Sequence, residues 1–214
     1  MKKQSSSLIR VPLGDLPEAF ANPVKYARSF RPGRGGGGPS KYGMFQFAIG
    51  EYHKTGDGAE AERYLERVFL KNFSDLKDLP AYRRMLQDYI REFGRTKNAF
   101  VKARDNISLP KPAEYSDFIV SGQAARIDLL GSGGYGVWMF VRDLANWERD
   151  PRFPLLQFAY AEKLGVPLDE VTVGVYDFGL TKHASRSYGQ RAIDGANKNL
   201  ITILDLLKKR RLKP

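Results

Sequence analysis

Cysteine is absent from all 214 residues. That excludes disulfides, thiolate metal sites, iron–sulfur clusters and a cysteine nucleophile. No apolar run approaches the roughly 20 residues needed to cross a bilayer. The opening MKKQSSSLIRVPLGD also lacks the apolar stretch of a signal peptide. The expectation is a cytoplasmic chain with no membrane partner. What is present suffices for one substantial domain, since 42% of the residues are hydrophobic.

Positive charge is plentiful, but its placement is uneven. The net charge is +11, of which residues 1–42 carry +6 and the closing KKRRLKP carries five basic residues, so residues 43–207 sum to zero. Basic ends on a neutral body suit a polyanion, because each neutralised phosphate releases condensed counterions whatever the base sequence. The simpler alternative is that the charged ends are solvated and serve solubility. RPGRGGGGPSK brings Arg31, Arg34 and Lys41 around a glycine run. The run reads as a linker, because it lacks the Lys-Ser/Thr pair of a phosphate-binding loop.

Along the chain, helical spacing comes first. LPEAFANPVKYARSF fits one short helix or two turns, and SKYGMFQFAIGEYHKTGDG fits an amphipathic helix ending in a Gly-rich turn. AEAERYLERVFLKNF and AYRRMLQDYIREFG follow, the second with Tyr82, Met85, Leu86, Tyr89 and Ile90 on one face. The period then changes: YSDFIVSG, AARIDLLG and YGVWMFVR predict three short antiparallel strands. FPLLQFAYAEKLG returns to a helix, VPLDEVTVGVYDF predicts a fourth strand, and a helix from about Tyr188 to Lys209 ends the chain. The expected fold is α/β, a central mixed four-stranded sheet (antiparallel meander plus crossover strand) flanked by helices.

LGSGGYGV and the DFG at Asp177 to Gly179 imitate pieces of a protein kinase. A kinase needs a Lys on its third strand, a partnering Glu on a helix, and a helical lobe between the glycine loop and the magnesium-binding Asp. No Lys follows these glycines, which read instead as a hairpin turn.

The order of elements resembles the RecB-like nucleases of the PD-(D/E)XK superfamily over nearly the whole chain. FANPVKYA is similar to the opening helix of that family, with Asn22 where cysteine is common. KYGMFQFAIGEYHKTGD is similar to its histidine-bearing helix, MLQDYIREFG to the packing helix, SGQAARIDLL to the strand ending in the catalytic Asp, and DPRFPLLQFAYAEKLGV to a helix with a Gln and a Tyr near the site. The resemblance implies a restriction-endonuclease-like domain at 43–207, between a basic N-terminal arm with glycine linker at 1–42 and a basic tail at 208–214.

In active members Mg²⁺ sits between an Asp on one strand and an Asp or Glu on the next, with a Lys two residues further on. The resemblance puts Asp128 at the first carboxylate and leaves it the residual metal candidate; a strand-end turn or cap is the structural alternative. On the next strand it puts Phe140 at the second carboxylate and Arg142 at the Lys. The helix admits two registers: matching Gly43 places Phe47 at the histidine, whereas matching Gly50 brings His53 within one residue of it. In the first, Phe47 and Phe140 face each other across a former metal site, and Arg142 pairs with Asp128. Gln157 and Tyr160 line the cleft. Glu162, Lys163 and Asp143 are the candidates for a relocated catalytic group, and His183 reads as an exposed loop residue.

These readings point to a nucleic-acid-binding module, DNA first, whose fold has lost its metal chemistry and needs no cofactor. Arg31, Arg34, Lys41, Arg142, Lys208, Lys209, Arg210 and Arg211 are the candidate phosphate contacts. The alternatives are a Mg²⁺-dependent DNase with relocated residues, and a protein-binding subunit of a DNA-processing or defence complex.

Overall fold

Segment VTVGVYDF is apolar on both of its alternating faces, which marks a strand covered from both sides. In a computed structural model of the chain, which describes residues 8–32, 40–94, 98–141 and 146–211, that strand lies in an open mixed sheet between two helical layers. The elements are β1 (Ile9–Pro12), α1 (Leu16–Ala21), α2 (Pro23–Ser29), α3 (Lys41–Thr55), α4 (Gly58–Asn72), α5 (Leu79–Tyr89), β2 (Ala99–Ser108), β3 (Phe118–Leu129), β4 (Tyr135–Val141), α6 (Arg152–Leu164), β5 (Val171–Asp177), β6 (Lys182–Arg186) and α7 (Gln190–Arg211). A π-helical turn over Ile90–Gly94 extends α5.

Val171, Val173 and Val175 of β5 join one core with residues of α1, α2, α6 and α7. Tyr176 and Phe178 point the other way, into a second, aromatic core under α3, α4 and α5. β3 is the centre of the sheet: it pairs in parallel with β1 and antiparallel with β2 and β4. After α6 the chain returns as β5, parallel to β4, and β6 closes antiparallel on β5. An antiparallel meander with a crossover strand is present, as β2–β3–β4 followed by α6 and β5, but it is not built from the three strands expected.

The strand count differs: the described residues form six strands. YSDFIVSG and AARIDLLG are one strand, β3, and not two. The glycine between them, Gly122, reflects close packing, because a Cβ there would lie 2.5 Å from that of Leu13. By contrast, Gly133 and Gly134, at φ of 90° and 74°, do form the predicted hairpin turn. β2, AFVKARDNIS, carries too many charges to read as a strand, and its main chain is ordered by pairing along most of β3. β6, KHASR, is largely exposed and pairs along one edge only; His183 is thus a strand residue, exposed as expected.

Residues 9–30 correct the expected N-terminal arm. Val11, Leu13, Leu16 and Ala19 are buried in the first core, so this part of 1–42 belongs to the folded body. Its basic residues conceal the apolar spacing of IRVPLGDL. The tail boundary moves too, since α7 runs through Lys208 to Arg211.

Close packing of Leu13 on Gly122 predicts that Gly122→Ala lowers stability by roughly 1–3 kcal/mol through overpacking. Urea denaturation reads the loss, and Leu13→Ala should not rescue it, because alanine keeps the Cβ that the new side chain would meet. An unchanged midpoint for Gly122→Ala would contradict this packing.

Candidate functional site

Residues two apart on a strand share a face, so β3 directs both Arg126 and Asp128 at the layer of α3 and α5. Both are almost fully enclosed, at 1% and 0% exposure. Arg126 Nε donates to Asp128 Oδ1 at 2.5 Å. Arg126 Nη1 donates to the Tyr89 hydroxyl at 2.8 Å, and that hydroxyl lies 2.6 Å from His53 Nε2. His53 comes from the last turn of α3 and Tyr89 from the end of α5. The imidazole stacks on Phe100 of β2 at 4.3 Å, nearly parallel at 4°, and Phe100 pairs with Asp128 across the sheet.

A guanidinium only donates, and Arg126 Nη1 approaches both the Tyr89 oxygen and, at 3.4 Å, His53 Nε2. A neutral imidazole with its proton on Nδ1 suits both neighbours, since Nε2 then accepts. Burial, with the nearby Arg126 charge, pushes its pKa down to about 3. Burial likewise raises the Tyr89 phenol, against the pull of Arg126. At Asp128 burial pushes the carboxyl up, while Arg126, Trp138 and Asn98 favour the ionised form. For Arg126, burial works against the charge, but Tyr89 and Asp128 outweigh it and raise the pKa. A buried charge persists only when paired and hydrogen-bonded, and Arg126 meets that condition through Asp128 and Tyr89.

Of the expected site residues, Asp128 lies at the centre of this network. Phe140 does not face it. The hairpin register puts Gly136 opposite Asp128, and Phe140 lies four residues farther along β4, about 13 Å at the rise of a strand. There Phe140 packs its ring against Tyr89 at 5.6 Å and Phe178 at 5.1 Å. Nor does Phe47 meet Phe140: it is 42% exposed and carries the Arg104 guanidinium 3.5 Å above its ring. Of Phe47 and His53, His53 is the residue of α3 that reaches the network.

Gln157 and Tyr160 are also misplaced by the expectation. Both lie on α6, across the sheet from Asp128, and both are fully buried. Gln157 accepts from Tyr188 N at 2.6 Å and donates to Leu168 O at 3.0 Å, tying α6 to the segments before β5 and α7. Tyr160 donates to Asp105 O at 3.0 Å. The relocated catalytic candidate Lys163 donates to Asp105 Oδ2 at 2.5 Å, and Glu162 is exposed on the same helix. Arg142, Asp143 and Arg34 lie outside the described residues.

The basic candidates divide. Arg31 and Arg210 share the rim of a cavity of about 350 Å³ with Leu8, Phe30 and Leu207. Arg210 donates to Ala27 O at 2.6 Å and Phe30 O at 2.8 Å, capping the negative end of α2. Lys208 reaches Glu114 O at 3.1 Å, Lys209 is exposed, and Arg211 closes α7. Lys41 starts α3 in the other layer, bonded to Asp78 at 2.8 Å.

Magnesium does not fit these residues. It needs several oxygen ligands in octahedral array, whereas one oxygen of Asp128 holds Arg126, His53 Nε2 is engaged by Tyr89 and Arg126, and Gly136 offers no side chain. Among the described residues no group of three or more His, Cys, Asp or Glu is arranged to hold a metal ion. Two residues of the network escaped the sequence reading. Arg126 had a visible signal, a charge two residues before Asp128 on an otherwise apolar strand. Tyr89 had none beyond its place on an apolar helix face.

The pH dependence follows from His53. In the unfolded chain its imidazole takes up a proton below about pH 6.5, whereas the folded one resists until about pH 3. This contribution is full above pH 7 and falls by about 1.4 kcal/mol per pH unit below 6.5. Between pH 7 and pH 5 the wild type should lose about 2 kcal/mol more than His53→Gln in urea denaturation. Equal losses would contradict a neutral buried imidazole. No known family's profile matches the chain, and no curated protein matches it.

Proposed function

We propose that this protein is a nucleic-acid-binding module, for DNA in the first instance, on a restriction-endonuclease-like fold in which a structural ion pair stands where metal chemistry would need a cation. The observation that carries the reading is the Arg126 guanidinium, 2.5 Å from Asp128 Oδ1 and 3.4 Å from His53 Nε2. Asp128, which the family resemblance puts at the first carboxylate, and His53, which its second helix register brings within one residue of the histidine, are thus joined through a protein cation. Gly136 opposite Asp128 supplies no second carboxylate.

Two further features support it. The segments that carry the resemblance fall in order on α2, α3, α5, β3, β4 and α6. The net charge of +11 favours a polyanion, and Lys208, Lys209 and Arg210 form an exposed basic end on α7. Arg210 is engaged in capping α2 and Lys208 in its bond to Glu114 O, so Lys209 is the freer contact for phosphate.

The test is a gel shift of linear duplex DNA at two salt concentrations, run beside a cleavage assay with Mg²⁺, Mn²⁺ or EDTA. Binding should be insensitive to EDTA and the DNA should stay intact. Replacing Lys209 by Ala should reduce the salt slope by roughly 0.9. Metal-dependent cleavage would overturn the proposal in favour of an active DNase. Absence of any shift at low salt would overturn it in favour of a protein-binding subunit.

A further inference from the structure

The sequence of α4, GAEAERYLERVFLKN, separates its charges by face. Glu62 and Glu66 turn toward α5, where Gln87 donates to Glu62 at 2.9 Å and Arg83 pairs with Glu66 at 2.7 Å. Arg63, Arg67 and Lys71 recur every fourth residue, so they form one stripe. All three are exposed, and no ion pair engages them among the described residues. Of the acids on this helix Glu66 is ion-paired and Glu62 is held by a neutral amide, whereas Arg63, Arg67 and Lys71 form a row of cations with no salt bridge among the described residues.

Beside that stripe lies a pair of flat groups. Arg104 of β2 stacks its guanidinium 3.5 Å over Phe47 of α3, which is 42% exposed. Arg104 holds a left-handed φ of 51°, uncommon for a residue with a side chain. Its Nε donates to Gln123 Oε1 at 3.1 Å, which fixes the plane, and its Nη1 has no hydrogen-bond partner among the described residues. Tyr64 stands on α4 among the stripe residues, with Arg67 5.2 Å over its ring, and α4 packs along α3, the helix that bears Phe47.

Alternating guanidinium and aromatic planes, set next to a row of uncompensated cations, match one chemistry well. Bases of an unpaired strand stack on such planes irrespective of sequence, while the neighbouring cations follow the phosphates. A duplex hides its base faces and would use only the cations. Resting on the nucleic-acid reading, and narrowing it, we infer that Phe47, Arg104, Tyr64, Arg63, Arg67 and Lys71 form a stacking groove for single-stranded nucleic acid. This surface lies on the α3–α4 layer, apart from the basic end of α7.

Fluorescence anisotropy of a labelled single-stranded oligonucleotide, with a duplex competitor, tests the groove on the full chain. Phe47→Ala should weaken single-strand binding about tenfold with the salt slope unchanged, as stacking on one aromatic requires. Phe47→Trp should keep affinity, and Arg104→Gly, which suits the positive φ, should weaken it without loss of thermal stability. Arg67→Ala should instead lower the salt slope by about 0.7. Wild-type affinity in both Phe47→Ala and Arg104→Gly, with binding otherwise intact, would overturn the groove while leaving nucleic-acid binding in place. If the wild type binds neither strand form, both readings fall.

Discussion

Arg126 is the constraint around which the second layer is arranged. A guanidinium at 1% exposure needs an anion and acceptors within reach, and each partner fixes a different element. Asp128 holds it along β3, Tyr89 ties it to α5, and His53 brings in the end of α3. Removing either charge would leave the other buried and uncompensated, at a cost of about 3–5 kcal/mol. The polar network thus sets how the α3–α5 layer meets the sheet.

Tyr89 joins this network to the aromatic core. Its hydroxyl lies between Arg126 and His53, while its ring meets Phe140 at 5.6 Å and Tyr176 at 5.5 Å. Rings packed edge to face tolerate little displacement, so a shift of Arg126 would be felt at Phe140. On the other face the buried charge is Asp105, paired with Lys102 and Lys163. There the core is built from Val171, Val173, Val175 and apolar residues of α6 and α7. Its buried polar side chains, Gln157 and Asp105, secure neighbouring segments.

Long periodic elements were legible in the sequence. The faces of α4 and α5, the hairpin turn at Gly133 and Gly134, and the order of helices, hairpin, helix and strand all follow from local spacing. Non-local pairing hid the rest. β2 carries Lys102, Arg104 and Asp105, and only pairing with β3 reveals it as a strand. Gly122 suggested a turn because the packing of Leu13 on it connects distant residues. The site was legible in part: Asp128 and His53 could be named, but Phe140 was assigned by motif alignment. The register of the hairpin instead places Gly136 opposite Asp128. Arg126 lay in view within ARIDLL, yet its pairing with Asp128 depends on burial that no local pattern encodes.

The direct test is a double-mutant cycle on the buried pair, read by urea denaturation. If Arg126 and Asp128 form a charge-compensated structural unit, Arg126→Met and Asp128→Leu should each destabilise by about 3–5 kcal/mol. The double variant should then lose far less than their sum, because no isolated charge remains. Additive losses would contradict the account: the two residues would then act independently, and the guanidinium would not be the counterion that closes the site.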